Sequence, residues 1–385
     1  MNSTRAHTRA HTRTHTRTRR TGAAAAAALV LAGIVTAAGP AAAAPSCAPR
    51  IQVLGSIGTG GYSVGNEQTE GVLGLGTGSL SVGVSGGKPV YWTGSRLHKV
   101  PLSDAGLSGA VLAVNRSGLM VGVTHGADGY LFTYRAGDAA VTRLPGSDWL
   151  SDDADVNDAG YVVSRTRPGV GAVWKDGRKV RELAAPADAA PGTRIELVSG
   201  INNKGDVIGM AREDYEVPET GQHLEGGYPV LWPADGGPAK ALSRTSNDSW
   251  VQDIDESGRV VGYDWYGMGY QFRPVTWAPP YTGPVGAPGA LKTHPYGTFE
   301  AVSPTAGVSV GTAKFHPDIQ TLPDQAQLWT GTGPVLALPR LSANQASAAS
   351  SVADDGRVGG AAVNAGGTLK PVIWTCATKQ AYLPQ

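Results

Sequence analysis

A unit of about 45 residues recurs along this chain, and that recurrence limits the possible folds more than any other feature. Its clearest segment reads AVNRSGLMVG at 113–122, DVNDAGYVVS at 155–164, GINNKGDVIG at 200–209 and DIDESGRVVG at 253–262. Looser copies are LGLGTGSLSVG at 73–83, SPTAGVSVG at 303–311 and SVADDGRVGG at 351–360, which makes seven. Each copy places a turn between two short apolar runs. Asn tolerates left-handed backbone and bonds to nearby amides, while Gly supplies a positive φ without a Cβ clash. The pairs Asn115/Gly118, Asn157/Gly160, Asn202/Gly205 and Asp255/Gly258 therefore predict hairpins. The last two copies keep Gly307 and Gly356 but lose the Asn.

Two further markers share the period. The third apolar run of each unit ends in a bulky aromatic: Trp92, Tyr134, Trp174, Trp232, Trp277, Trp329 and Trp374. These span 282 residues in six intervals and are expected to pack between units. A glycine follows the second run at Gly83, Gly122, Gly209, Gly262, Gly311 and Gly359, with Ser164 in its place in the third unit. The 54 Gly and 26 Pro fall at fixed places in the repeat, so they mark turns and not disorder. Helical periodicity is nearly absent, and four short runs per unit read as strands. One such sheet cannot bury both of its faces alone, whereas a ring of them can. The expectation is an all-β, seven-bladed β-propeller with four-stranded antiparallel blades. Its units run at about 66–102, 110–144, 152–183, 197–242, 250–292, 300–338 and 348–385.

The first 44 residues stand apart from this pattern. Residues 1–20 hold six Arg and no acid, residues 23–39 are apolar, and Ala42-Ala43-Ala44 fits a small-residue cleavage site. That is the plan of a secretory signal peptide, leaving 45–385 as a single domain. Arg19-Arg20 suggests the twin-arginine route, but the Thr-Gly-Ala that follows fits Sec export equally well. His7, His11 and His15 fall in this leader, which argues against a metal role. The remaining 26 basic and 31 acidic residues leave a net charge of −5 with no basic stripe, which argues against nucleic acid as a partner. No later segment is long and apolar enough to span a bilayer as a helix, so a secreted monomer free of the membrane is expected.

Two cysteines extend the repeat argument. Cys47 and Cys376 each precede a leucine, Leu54 and Leu383, by seven residues, and both stretches resemble the turn and fourth strand of a unit. If Ile51–Leu54 joins the last blade beside Val372–Trp374, the two thiols meet and a disulfide is expected in an exported chain.

The repeated form, apolar-Asn-x-x-Gly-x-Val-Val-Gly followed by a strand ending in Trp, resembles the HAF-repeat extracellular proteins of bacteria. The likeness covers most of residues 66–383 and is best at 111–134, 154–174 and 198–232. The family's His-Ala-Phe signature is replaced, for example by Lys88-Pro89-Val90, Tyr228-Pro229-Val230 and Lys370-Pro371-Val372. The resemblance implies secretion and a repeat β fold, with no reaction and no catalytic residue.

Chemistry is expected where the units stop resembling one another. The turn between second and third strands lies on the rim opposite the Asn-x-x-Gly turns, and units four to six enlarge it, at 212–227, 263–272 and 312–325. Binding tends to reside in such loops on a rigid scaffold. The candidate ligand-binding residues are Tyr215, His223, Tyr263, Asp264, Trp265, Tyr266, Tyr270, Phe315 and His316. Flat aromatic faces beside acids suit an extracellular glycan or protein. A polysaccharide hydrolase or lyase on the same rim is the alternative, although no sequence spacing fixes a carboxylate pair. No nucleophile elbow, zinc motif or phosphate loop is present, so neither catalytic residue nor cofactor is assigned.

Asp253-x-Asp255-x-Ser257-Gly258, with Asp264 at the twelfth place, approximates a calcium loop, and Asp153-x-Asp155-x-Asn157 is a weaker match. Both coincide with the repeat's hairpin turn, which explains them without a metal. Millimolar calcium is accordingly expected to leave the melting temperature unchanged, and a rise in a thermal shift assay would reverse that reading.

Overall fold

The computed structural model describes residues 47–58, 69–104, 106–126, 128–147, 153–167, 169–217, 222–244, 246, 248–266, 271–283, 285–315 and 322–385. The signal-peptide reading of 1–44 lies outside them. Within Cys47–Gln385 the strands form seven antiparallel sheets. Each sheet packs on the next, and the seventh packs on the first, which closes a seven-bladed β-propeller. The inner strands are Glu70–Leu75, Ser108–Val114, Ala154–Val156, Arg194–Ile201, Ser249–Ile254, Tyr296–Val302 and Ser347–Val352.

The seventh blade is completed from the other end of the domain. Arg50–Val53 pairs with Leu369–Thr375, placing Ile51 opposite Trp374 and Val53 opposite Val372. Cys47 and Cys376 are joined there, with Cα atoms 5.9 Å apart. A bridge across 329 residues restricts the unfolded chain, an effect usually worth about 2–5 kcal/mol. The matched cysteine-to-leucine spacing is only half structural, however. Leu54 is buried after its strand, whereas Cys376 leads into the short helix Ala377–Gln380 and Leu383 is 60% exposed. Tyr382 turns back to bridge Ala337 of the sixth blade.

The apolar core is divided among the seams between blades. Val163, Val173 and Leu183 of the third blade, for instance, pack with Ile195, Val198, Val230 and Trp232 of the fourth. The repeated tryptophans latch these seams. In five of the six the indole N–H donates to a carbonyl just past the outer strand of the preceding blade: Trp92 to Gly55, Trp174 to Pro145, Trp232 to Ala184, Trp277 to Ser243 and Trp374 to Pro339, at 2.6–3.0 Å.

The Asn-x-x-Gly turns do more than reverse the chain. The Asn157 carboxamide oxygen accepts the Tyr161 amide within its own turn, while its Nδ2 donates to the Asn202 carbonyl of the next blade. Asn115 donates likewise to the Asn157 carbonyl, and Asn202 to the Asp255 carbonyl. Other groups continue this belt: Glu256 N–H to the Pro304 carbonyl, Thr305 and Ala306 N–H to Asp354, Arg357 to the Gly76 carbonyl and Thr77 to the Arg116 carbonyl. Every seam is therefore bonded on this face.

The second marker has a steric origin. Six inner strands carry a bulge, for example between Val198 and Gly200, and it presses a carbonyl against the second strand. A Cβ on Gly209 would lie 2.2 Å from the Leu197 oxygen, and one on Gly262 would lie 1.9 Å from that of Trp250. The third blade shows no bulge between its inner and second strands, Ala154↔Ser164 and Asp155↔Val163, and it alone carries Ser here. In the seventh blade the register gives this place to Gly360, opposite Ala349, and not to Gly359, because Gly360 stands at the same offset from the turn glycine Gly356 as Gly122 does from Gly118.

Three departures from the repeat matter for function. The enlarged turn of unit four is not a loop over 212–217: the ladder continues through Arg212↔Gly227 to Val217↔Gln222 as a long hairpin. The fifth blade has three regular strands, and its fourth place is held by mutual Thr276–Gly286 bonds before buried Leu291 refills the seam. Trp329 therefore meets no matching carbonyl; its indole donates to Gly333 and its ring stacks on Phe299.

The two acidic turns that resemble calcium loops are also seam devices. Asp155 accepts the amides of Val156 and, across the seam, Ile201; Asp253 accepts those of Ile254 and Val302. Burial raises both carboxyls, and the neighbouring Asp155 adds to the effect on Asp253, which is pushed up to about 8.

Gly209→Ala is expected to cost about 1–3 kcal/mol or more by forced overpacking, and Ser164→Gly much less, as read from urea denaturation midpoints. The Asp253 carboxyl titrates higher folded than unfolded, so its contribution is intact below the ordinary carboxylate range and is lost as pH rises through about 8. Stability measured across that window is expected to fall with pH in the wild type and to fall less steeply in Asp253→Asn.

Candidate functional site

The seven inner strands surround an axial cavity of about 1540 Å³. Its two ends differ because strand direction sends different turns to each. One end carries the Asn-x-x-Gly belt, with Arg116, Asn203, Glu256 and Asp354. The other lies toward the turns between second and third strands, and there the fifth blade supplies an aromatic wall.

Strand alternation builds this wall. Tyr263 and Trp265 point to the same face of Val260–Trp265, following Val261, which packs against the sixth blade. Cross-strand pairing sets Trp250 opposite Tyr263 and Phe272 opposite Trp265. Trp250 and Tyr263 stack with centroids 6.0 Å apart and planes 9° apart. Phe272 meets Tyr263 edge-on at 5.0 Å and Trp265 at 6.5 Å. All four line the cavity, and Trp265, at its lip, is 39% exposed.

Polar groups adjoin the rings. The inner-strand bulge directs Gln252 of the fifth blade and Glu300 of the sixth into the cavity. Glu300 accepts a hydrogen bond from the Thr298 hydroxyl at 2.5 Å. Burial lifts its carboxyl above the ordinary range, against the pull of that bond and of Lys314. Burial raises the Tyr263 phenol as well, with Glu300, Asp153 and Asp248 adding to it, so the hydroxyl stays a neutral donor. Lys314 Nζ sits 5.6 Å from the Phe272 centroid, and the Arg212 guanidinium 5.9 Å from that of Trp250.

Of the nine residues proposed from sequence, Tyr263 and Trp265 line this end of the cavity. Asp264 lies on the opposite sheet face, buried, and accepts from the Ser249 hydroxyl at 2.6 Å. It belongs to the seam with the fourth blade, because adjacent strand residues point to opposite faces. Tyr266, 48% exposed, lies beyond the cavity lining under the Arg273 guanidinium at 4.0 Å. Phe315 is half-buried outside the lining. Tyr215 and His223 fall on the long hairpin, opposite Leu224 and Glu216, and their side chains are outside the described part. Tyr270 and His316 lie outside the described residues.

Sequence reasoning missed Trp250, Phe272, Gln252 and Glu300. The first two are the cross-strand partners of residues already chosen, and alternation around the hairpin points to them. The other two occupy the bulge position, where the repeat turns from Leu73 and Leu112 to polar residues. Among the described residues no group of three or more His, Cys, Asp or Glu is placed to hold a metal ion.

No protein-family model matches the sequence, and no curated protein matches it. Among solved structures the chain is similar to virginiamycin B lyase from Staphylococcus aureus, at 8% identity over 85% of this chain and 99% of that one, with a TM-score of 0.53. It is also similar to the WD40 β-propeller domain of Doa1 (15% identity, 84% and 97% covered, TM-score 0.44). A gluconolactonase from Xanthomonas campestris gives 11% identity, 66% and 82% coverage and a TM-score of 0.41. At such identities the likeness is one of fold: the chain is a β-propeller with a ring of blades like that of the lyase, and its chemistry must be argued from its own residues.

Proposed function

We propose that this protein is an exported, non-catalytic β-propeller that binds a carbohydrate at the aromatic end of its axial cavity. The observation that carries the reading is the wall of Trp250, Tyr263, Trp265 and Phe272, gathered on one face of the fifth blade and opening into the cavity. Sugar rings present apolar C–H faces and equatorial hydroxyls. Flat aromatic surfaces cover the first, and Gln252, Thr298, Thr312 and Glu300 offer donors and acceptors for the second. A concave end favours a slender glycan over a folded protein partner. One chain contains the whole site, so a monomer suffices. Export is supported by the Arg-rich, then apolar, leader and by the Cys47–Cys376 bridge, which fits an oxidising compartment.

A hydrolase acting on polysaccharide at the same rim is the second reading. Glu300 favours it, because burial raises the proton affinity of its carboxyl, the direction that general-acid work requires. Release of shortened products, lost in Glu300→Gln, would establish that activity in place of simple binding.

Calorimetric titration against a panel of neutral and charged oligosaccharides tests the main reading. At least one is expected to bind, and Trp265→Ala to weaken it about tenfold or more through loss of the stacking face. Tyr266→Ala, outside the cavity lining, is expected to change affinity less than about twofold. Binding that survives Trp265→Ala unchanged would move the site elsewhere.

A further inference from the structure

Charge is unevenly distributed along the axial cavity. The described residues that line it include nine acidic side chains, three permanently cationic ones and one histidine. Two of the three cations belong to the turn end. Arg116 pairs with Asp158 at 3.4 Å and reaches Asp354 at 4.0 Å, and Arg357 pairs with Asp355 at 2.7 Å. At the aromatic end Lys314 is the only permanently cationic residue among the described lining, in company with Asp153, Glu300 and Asp324. Arg212 approaches Trp250 from the fourth blade, but Glu196 and Glu225 oppose its charge at 3.9 and 4.0 Å.

The aromatic wall already carries an ammonium group, that of Lys314 over Phe272. Ring faces attract cations through their quadrupole, and a carboxylate in a partly desolvated cavity attracts them more strongly than it would in water. For a neutral sugar the rings would be enough, and desolvating the acids would only cost free energy. The pairing of an aromatic wall with an excess of acidic over basic side chains therefore distinguishes among saccharides.

Resting on the carbohydrate reading above, we infer that the site selects saccharides bearing protonated amino groups, with an ammonium held between Glu300 and the aromatic wall. Lys314 then sets an upper limit on that preference, because its own charge repels the ligand's. Glu300 is the residue that specifies charge, and Trp265 is the residue that specifies a ring.

Three β-1,4-linked oligomers of equal length test this with the purified protein: glucosamine, N-acetylglucosamine and glucose. The glucosamine oligomer is expected to bind about tenfold or more tighter than either neutral oligomer in calorimetry at low salt. Glu300→Gln keeps the side-chain shape and the acceptor for Thr298. It is expected to remove about tenfold or more of the glucosamine affinity and to change that of the neutral oligomers far less, since Gln still offers an acceptor to a hydroxyl. Lys314→Met is expected to strengthen glucosamine binding severalfold, so the two variants move in opposite directions. Should Glu300→Gln fail to fold, as read from its melting curve, Lys314→Met decides alone, and unchanged or weaker glucosamine binding overturns the inference. Neutral oligomers binding as tightly as the amino oligomer in the wild type would also overturn it while leaving the carbohydrate reading standing. If no saccharide of any charge binds, both readings fall together.

Discussion

The ring depends on its seams, and on the inner side the seam depends on a carboxamide that serves two blades at once. The oxygen of Asn157 closes its own turn and its nitrogen reaches the Asn202 carbonyl of the next blade. An aspartate can close the turn but has no donor to pass on. At Asp255 the step to the sixth blade is accordingly taken by the backbone, with Glu256 N–H donating to the Pro304 carbonyl. Further out, each seam holds an apolar cluster, and at most seams a tryptophan indole then bonds to the preceding blade. Hydrogen bonds at two radii with a dry layer between them fix the angle of one blade on the next. A closed ring requires that angle to be nearly constant.

That constancy makes the exceptions informative. The seam between the fifth and sixth blades lacks both the regular outer strand and the indole latch. The aromatic wall is on the same seam, on the fifth-blade face that packs against the sixth. Near the ring's waist Val261 still joins Phe299 and Leu291, but toward the rim the face carries Tyr263 and Trp265, which open into the cavity. The site therefore occupies the seam where the repeat's usual contacts are least complete.

The architecture was legible because its determinants are local and periodic. A carbonyl pressed on Gly209, an indole reaching Ala184 and a turn around Asn157 each leave a mark at a fixed place in the unit. Even the lone Ser164 is accounted for, since the inner strand it faces shows no bulge. Cys47 and Cys376 were legible for the same reason, as the ends of a blade shared between the two ends of the domain. The site was legible only in part. Tyr263 and Trp265 stood out because they were aromatic where other units were not. Asp264 was drawn in by proximity in sequence, although adjacent residues of a strand face opposite ways. Glu300 was invisible for a different reason. Its place in the cavity comes from a bulge in the sixth blade, and which blade's bulge faces the aromatic wall is decided by packing, not by local pattern.

Stability and binding draw on different tryptophans in this molecule. Trp232 is buried in a seam with its N–H committed to Ala184, so truncating it removes a large apolar side chain and a buried hydrogen bond together, a loss of about 3–5 kcal/mol in comparable cores. Trp265 stands at the cavity lip with more than a third of its surface exposed, and its removal empties far less of the core. Residues such as Trp265, Glu300 and Lys314 are free to vary in a way that Trp232, Gly209 and Asn157 are not, because no seam angle is set by them. A ring built this way can change what it binds at one end without renegotiating the contacts that keep it closed.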